Sequence, residues 1–395
     1  MDILQAKNLV IEAGIKLVET GLIARTWGNV SCRVDENSFV ITPSGKPYIG
    51  LTPDDIVEVR IDDLSYKGSI KPSSEKGVHA EVYKAHSDAN FVIHTHQKNA
   101  SVISDLASGI SALSAEDSAV IGKEVPIAAY GLPGTGKLKK GVAAALANYD
   151  TKAIIMAHHG AVCFGKDSDE AFLVANTLES VCEKYLLTSA AGKVAVKAAD
   201  LAEFCLKMPA VLNSKIVAVP EKEPCESACD RNQGIITFKM NNDEASANLA
   251  TGAVISGNLP LEAELHRNVY NKRGDFNYII HNTEPSVMAV SALGKKLPPL
   301  LDDFAQIVGI NVRCTNEAKA ACALKGRNAV LIKDEGALCC GGNQGDAEAV
   351  DMIMGKNCLT LLGASAFGKP KKIGLVDAAL MRVIYLKKYS KKASE

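Results

Sequence analysis

Two histidines separated by one residue, His94 and His96, close the apolar run Phe91-Val92-Ile93. On a strand, residues i and i+2 face the same way, so both imidazoles can be presented to one ion. A lone His-x-His is more often a pair of surface or core histidines. Two further places strengthen the set: His158-His159-Gly160 ends a second apolar run, and Glu75 follows Ser73-Ser74 at a helix start. Three imidazole nitrogens and one carboxylate oxygen make a donor set that zinc accepts. Neighbours on a strand face opposite ways, so one of His158 and His159 reaches the ion, and spacing alone leaves either possible.

The same module recurs later in the chain. Glu75, His79, Tyr83 and His94 are echoed by Glu262, His266, Tyr270 and His281, the two histidines standing fifteen positions apart in each copy. The run from Ala153 to Cys163 is echoed from Ala329 to Cys339. His96 has become Thr283, and His158-His159 has become Asp334-Glu335, so the second copy keeps the pattern without the ligand set. One Zn2+ or other divalent ion per chain is the expectation. His79, retained as His266 where the ligands are lost, reads as a structural core histidine, while Glu81 and His86 read as facing solvent.

A length of 395 residues suits two modules of about 200 each, and we expect domains at 1–215 and 216–395. The charges, 44 basic against 45 acidic, leave no field to recruit nucleic acid or an anionic membrane, which favours a small-molecule partner. Charged residues at positions 2 and 7 and the lack of any apolar run near 18 residues point to a cytoplasmic chain. Eleven scattered cysteines read as reduced thiols, and neither Cys225-x3-Cys229 nor Cys339-Cys340 has a second ligand pair at zinc-finger spacing.

The elements that must position the candidate ligands follow from periodicity. Helical spacing runs over 4–20 and 169–187, short strands over 30–34 and 38–42, and buried strands over 91–93 and 154–156. A helix over 73–85 starts on a serine N-cap and carries Glu75, His79 and Tyr83 at four-residue spacing. Alternating helices and strands predict a layered α/β domain with its site at a sheet edge. The mixed Lys, Glu and Pro of about 190–230 read as a connector. Beyond it, Gly234 to Phe238 reads as a strand, with no visible counterpart of Gly28-Asn29-Val30-Ser31 or Thr42-Pro43-Ser44-Gly45.

Those two segments, with Ser73-Ser74-Glu75, His94-Thr95-His96 and His158-His159-Gly160, resemble in order and spacing the class II aldolase/adducin family. The resemblance is strong over residues 1 to about 200 and weak over 230–365. It implies two tandem class II aldolase-like α/β/α layered domains, each with a central, mostly antiparallel sheet. It implies His94, His96, His159 and Glu75 as zinc ligands, Glu75 also moving a proton, and Thr26, Asn29, Ser44, Gly45, Ser73 and Ser74 as holders of a substrate phosphate. Hydroxyls, amides and backbone N–H groups on glycine turns are suitable phosphate donors, although alone they also read as ordinary turn chemistry. The implied activity is retro-aldol cleavage of a phosphorylated ketose to dihydroxyacetone phosphate and an aldehyde. Relatives instead carry out epimerisation, dehydration or decarboxylation, or serve as adducin-like interaction proteins. Sugar-phosphate aldolases of the family use a tyrosine lent by a neighbouring subunit, and here Ala115 stands at its place. Glu116 is the candidate replacement, beside Asp117 and matched by Asp303 in the second copy, with a solvated acidic loop as the alternative. Family members commonly form fourfold rings, so the resemblance implies a homo-oligomer, in which two fused chains could mimic such a ring.

Overall fold

The computed structural model describes residues 1–23, 27–241 and 243–388. Thr26 lies outside the described residues. The chain divides into two compact units, residues 1–188 with the end of the last helix from 384, and residues 189–383.

The first unit is built on strands β1 (Asn29–Arg33), β2 (Ser38–Ile41), β3 (Val57–Arg60), β4 (Phe91–Thr95), β5 (Ile127–Ala128), β6 (Ala153–Met156) and β7 (Ala161–Gly165). They line up as β3-β2-β1-β4-β7-β6-β5. All neighbours are antiparallel except β5 and β6. The β1–β2 hairpin is closed by Asp35, whose Oδ1 accepts from the backbone N–H groups of Asn37 at 2.7 Å and Ser38 at 2.8 Å. Every residue of β4 is buried, because helices cover both faces of the sheet. Val78, Val82 and Tyr83 of the helix Lys76–Ala85 and Leu138 and Val142 of Gly136–Asn148 pack on Phe39, Val92, Ile154 and Phe164. The helix Ile3–Glu19 packs on β1 and β2 through Val10, Ala13 and Leu17. His94 therefore ends a strand at the centre of the sheet, not at its edge.

The second unit holds β8 (Cys225–Asp230), β9 (Ile235–Met240), β10 (Asp243–Asn248), β11 (Val254–Ser256), β12 (Tyr278–Asn282), β13 (Cys314–Thr315), β14 (Ala329–Ile332) and β15 (Gly336–Gly341). Its order is β11-β10-β9-β8-β12-β15-β14-β13. The stretch from β9 to β13 repeats the order from β2 to β5, and the two mixed sheets with their helices are the tandem layered architecture expected.

Three readings need correction. β8 is a counterpart of β1: Cys225 pairs with His281 and Ser227 with Ile279, as Asn29 pairs with His94 and Ser31 with Val92. It escaped notice because Cys225-Glu226-Ser227 shares only its serine with Asn29-Val30-Ser31. The supposed connector also contains the helix Leu201–Leu212. The helix at 73–85 starts at Lys76 without a side-chain cap, since Ser73 Oγ accepts instead from the Glu75 N–H at 3.2 Å. Among the described residues no helix is long and apolar enough to cross a membrane.

Candidate metal centre

Four side chains converge at the ends of β4 and of the β6–β7 turn. His94 Nε2 lies 3.0 Å from His96 Nε2 and 3.2 Å from His159 Nε2. The Glu75 carboxylate closes the group, with Oε2 at 3.1 Å from His94 Nε2 and Oε1 at 3.0 Å from His159 Nε2. His94, His159 and Glu75 are buried and His96 is half-buried. His94, His96 and His159 form the one histidine, cysteine and carboxylate cluster of metal-binding geometry among the described residues.

The turn between β6 and β7 separates the sequential histidines. Its backbone enters the left-handed region at His158, with φ 61°. Gly160 is required there, since a Cβ would lie 2.2 Å from the Thr95 carbonyl oxygen. His159 faces the cluster. His158 turns aside, its Nδ1 at 3.2 Å from Asp105 Oδ1 and its ring edge-on to Tyr130 at 5.5 Å. Both histidines lie beyond β6, so strand alternation was the wrong reason for separating them.

The donor set fits a small divalent ion. Ligands about 2 Å from a tetrahedral centre stand roughly 3.3 Å apart, close to the 3.0–3.2 Å measured here. His94 Nδ1 must donate to the Ala161 carbonyl at 2.9 Å, which leaves the Nε2 lone pair aimed at the cluster. Burial lowers the His94 pKa well below the ordinary imidazole value, although Glu75 opposes it, so the neutral ligand form is favoured. Burial alone would raise the Glu75 pKa, but His94, His159 and His96 outweigh it and hold the carboxyl well below its usual range.

Behind the cluster runs a buried relay of which the sequence showed only the parts. Asn29 Nδ2 donates to Glu75 Oε2 at 3.2 Å, so its Oδ1 accepts from His79 Nε2. His79 Nδ1 then accepts from Ser31 Oγ at 2.6 Å, and Ser31 meets Tyr83 OH at 2.7 Å. Burial pushes the His79 pKa down to about 3 against the pull of Glu75, which keeps the ring neutral. Replacing His79 by leucine leaves Asn29 Oδ1 without a partner and leaves Ser31 Oγ only Tyr83, and should cost about 1–3 kcal/mol of stability. Urea unfolding of His79→Leu checks this, and an unchanged midpoint would show the relay to be dispensable.

The remaining candidates lie around this centre. Asn29 and Ser73 are buried, while Ser44 and Gly45 are half-buried and line a recess of about 440 Å³ with Lys46, Ser69 and Lys71. Ser74 is exposed and borders a separate recess of about 170 Å³ beside Glu75, Lys76, Gly134 and Thr135. Glu116 is exposed in the first turn of the helix Ala115–Ile121, whose cap is Ser114. Asp117 accepts from Ser114 Oγ at 2.8 Å and lies 3.7 Å from Lys184 Nζ. Asp303, matched to Glu116 by sequence, is buried against Lys356. His86 is half-buried against the Phe164 ring at 4.8 Å rather than facing solvent. Trp27, unnoticed in the sequence, sets its ring 6.5 Å from that of His96.

Comparison with known proteins finds the same module twice. The family model for the class II aldolase and adducin N-terminal domain matches residues 8–186 and again 231–356. The L-fuculose phosphate aldolase of Escherichia coli K12 is 34% identical over 181 residues, covering 46% of this chain and 82% of that protein. The 5-deoxy-D-ribulose 1-phosphate aldolase of Bacillus thuringiensis serovar kurstaki is 32% identical over 185 residues, covering 47% and 85%. A solved structure of L-fuculose 1-phosphate aldolase matches at 31% identity with a TM-score of 0.44, covering 50% of this chain and 92% of that one.

Proposed function

Since the chain belongs to the class II aldolase and adducin family and is a lyase of the aldolase type, we propose that it cleaves a phosphorylated ketose by a retro-aldol reaction. The products are dihydroxyacetone phosphate and an aldehyde. The observation that carries this reading is the convergence of His94, His96, His159 and Glu75 in the first copy.

His94, His96, His159 and Glu75 would hold one Zn2+, which would supply Lewis-acid stabilisation of negative charge on the ketone side of the substrate. The chain's own groups move the protons. The hydroxyl on carbon 4 loses its proton, the bond to carbon 3 breaks with its electron pair passing toward the ketone, and carbon 3 is protonated. Glu75 is the proton carrier on the carbon 3 side, and Asn29, fixed by His79, orients its carboxylate. Asn29, Ser44, Gly45, Ser73 and Ser74, with Thr26, hold the phosphate through hydroxyl, amide and backbone donors.

Glu116 is the proposed acceptor of the carbon 4 hydroxyl proton. It lies exposed on its own unit, so this role requires a homo-oligomer in which it reaches a neighbour's site. Glu116→Gln should then lower turnover by about 10²–10⁴-fold with metal content unchanged, and Asp117→Asn should do much less. Equal and small effects would assign the segment to a solvated loop. A screen of ketose 1-phosphates, reading release of dihydroxyacetone phosphate, tests the reaction itself. Conversion of a substrate without any such release would replace the aldolase reading by epimerisation, dehydration or decarboxylation. A cytoplasmic location belongs to the same proposal.

A further inference from the structure

The second copy keeps the frame of a metal site to a finer degree than its lost ligands suggest. Glu262 stands immediately before the helix Ala263–Lys272 as Glu75 stands before Lys76–Ala85. Asp334 has φ 63° where His158 has φ 61°. A Cβ on Gly336 would lie 2.2 Å from the Asn282 carbonyl oxygen, as one on Gly160 would from that of Thr95. Glu335 therefore takes the place of His159. Arg231 donates to the carbonyls of Tyr270, Arg273 and Phe276, where Arg33 donates to those of Tyr83, His86 and Ala89. Ser227 meets His266 Nδ1 at 2.8 Å and Tyr270 OH at 2.9 Å, as Ser31 meets His79 and Tyr83.

Into this frame reaches Lys222, three residues ahead of β8. Its Nζ lies 3.0 Å from Glu262 Oε1 and 2.6 Å from Glu335 Oε2, so the groups standing for Glu75 and His159 both bind one ammonium. Burial opposes the charge, yet Glu335 and Glu262 outweigh it and hold the Lys222 pKa above its ordinary value. His281 has turned, its Nε2 donating to the Glu335 carbonyl at 2.7 Å, and its buried Nδ1 has no partner. Cys225 stands in the place of Asn29, which leaves the buried His266 Nε2 without a partner too.

Resting on the metal-site reading of the first copy, we propose that Lys222 is the built-in cation of the second copy, its ammonium seated between Glu262 and Glu335 where a divalent ion would sit in the first copy, so that it excludes such an ion. A tethered cation needs no metal supply and leaves no two carboxylates facing each other uncompensated. Removing it leaves the Glu262 and Glu335 carboxylates facing each other with no cation between them. Such an oxygen-rich site suits a hard ion such as Mn2+.

The test uses the full chain with the first copy silenced by His94→Ala and His96→Ala, stripped by chelator and titrated with MnCl2 while free Mn2+ is read by electron paramagnetic resonance. In that background the chain should take up no Mn2+. Adding Lys222→Ala should create one equivalent of binding below about 1 mM, the range of weak oxygen-ligand sites, and adding Glu262→Gln to it should remove that equivalent again. A folded Lys222→Ala chain, judged by circular dichroism, that takes up no Mn2+ overturns the proposal. If Lys222→Ala does not fold, the proposal requires that the further change Glu262→Gln restore folding, because the unpaired carboxylates would be the cause. Failure of that rescue overturns it equally.

Discussion

Glu75→Gln will slow turnover by about 10²–10⁴-fold while the chain keeps much of its metal. The substitution preserves size and one neutral oxygen, and the His94, His96 and His159 nitrogens remain within 3.0–3.2 Å of one another through His94. What it removes is the only proton-accepting charge in the cluster. The carboxylate is buried, with Oε2 at 3.1 Å from His94 Nε2 and Oε1 at 3.0 Å from His159 Nε2. Asn29 Nδ2 donates to Glu75 Oε2, and an amide at position 75 can still accept that bond, so the relay to His79 and Tyr83 survives. A catalytic loss with little loss of fold is therefore expected, and turnover should be compared with metal content and urea midpoint in the same preparation. If Glu75→Gln stayed within about threefold of the parent, a barrier change under roughly 0.7 kcal/mol, Glu75 would not be the proton carrier.

The histidines that converge on one centre were legible because they follow apolar runs, and Glu75 because it follows Ser73-Ser74 at a helix start. Phe91-Val92-Ile93 leads into His94, and Ala153–Met156 leads into the turn that carries His159. The choice between His158 and His159 was not legible, since it depends on a left-handed residue at 158 and on the contact that forbids a side chain at Gly160. Pattern also failed at β8. A strand that keeps one serine and exchanges Asn29 for Cys225 carries no recognisable signal in one dimension, yet its register against β12 repeats that of β1 against β4. The relay behind Glu75 was hidden for a related reason. Ser31, His79 and Tyr83 come from a strand and a helix 48 and 52 residues apart, and only folding shows that they touch. Lys222 was least legible of all, lying in a stretch of Pro and Glu that reads as a linker until the sheet brings it against Glu262 and Glu335.

The double variant His94→Ala, His96→Ala should reduce the metal from one equivalent per chain to almost none and abolish measurable turnover. Two of the three nitrogen donors leave at once, and Glu75 with His159 alone offers one imidazole and one carboxylate, short of the four donors that hold a zinc ion. The second copy cannot compensate. Thr283 has no nitrogen to offer in place of His96, Glu335 replaces His159 with oxygen, and the Lys222 ammonium already lies 2.6 Å from that oxygen. The loss should be local, since the sheet pairing of β4 and the packing of Val92 beneath it do not depend on the imidazoles. Metal analysis after chelator-free purification, with far-ultraviolet circular dichroism to verify folding, is the check. Two tightly held equivalents in the parent, with one surviving in the double variant, would show that the second copy is a metal site in its own right and that Lys222 does not close it.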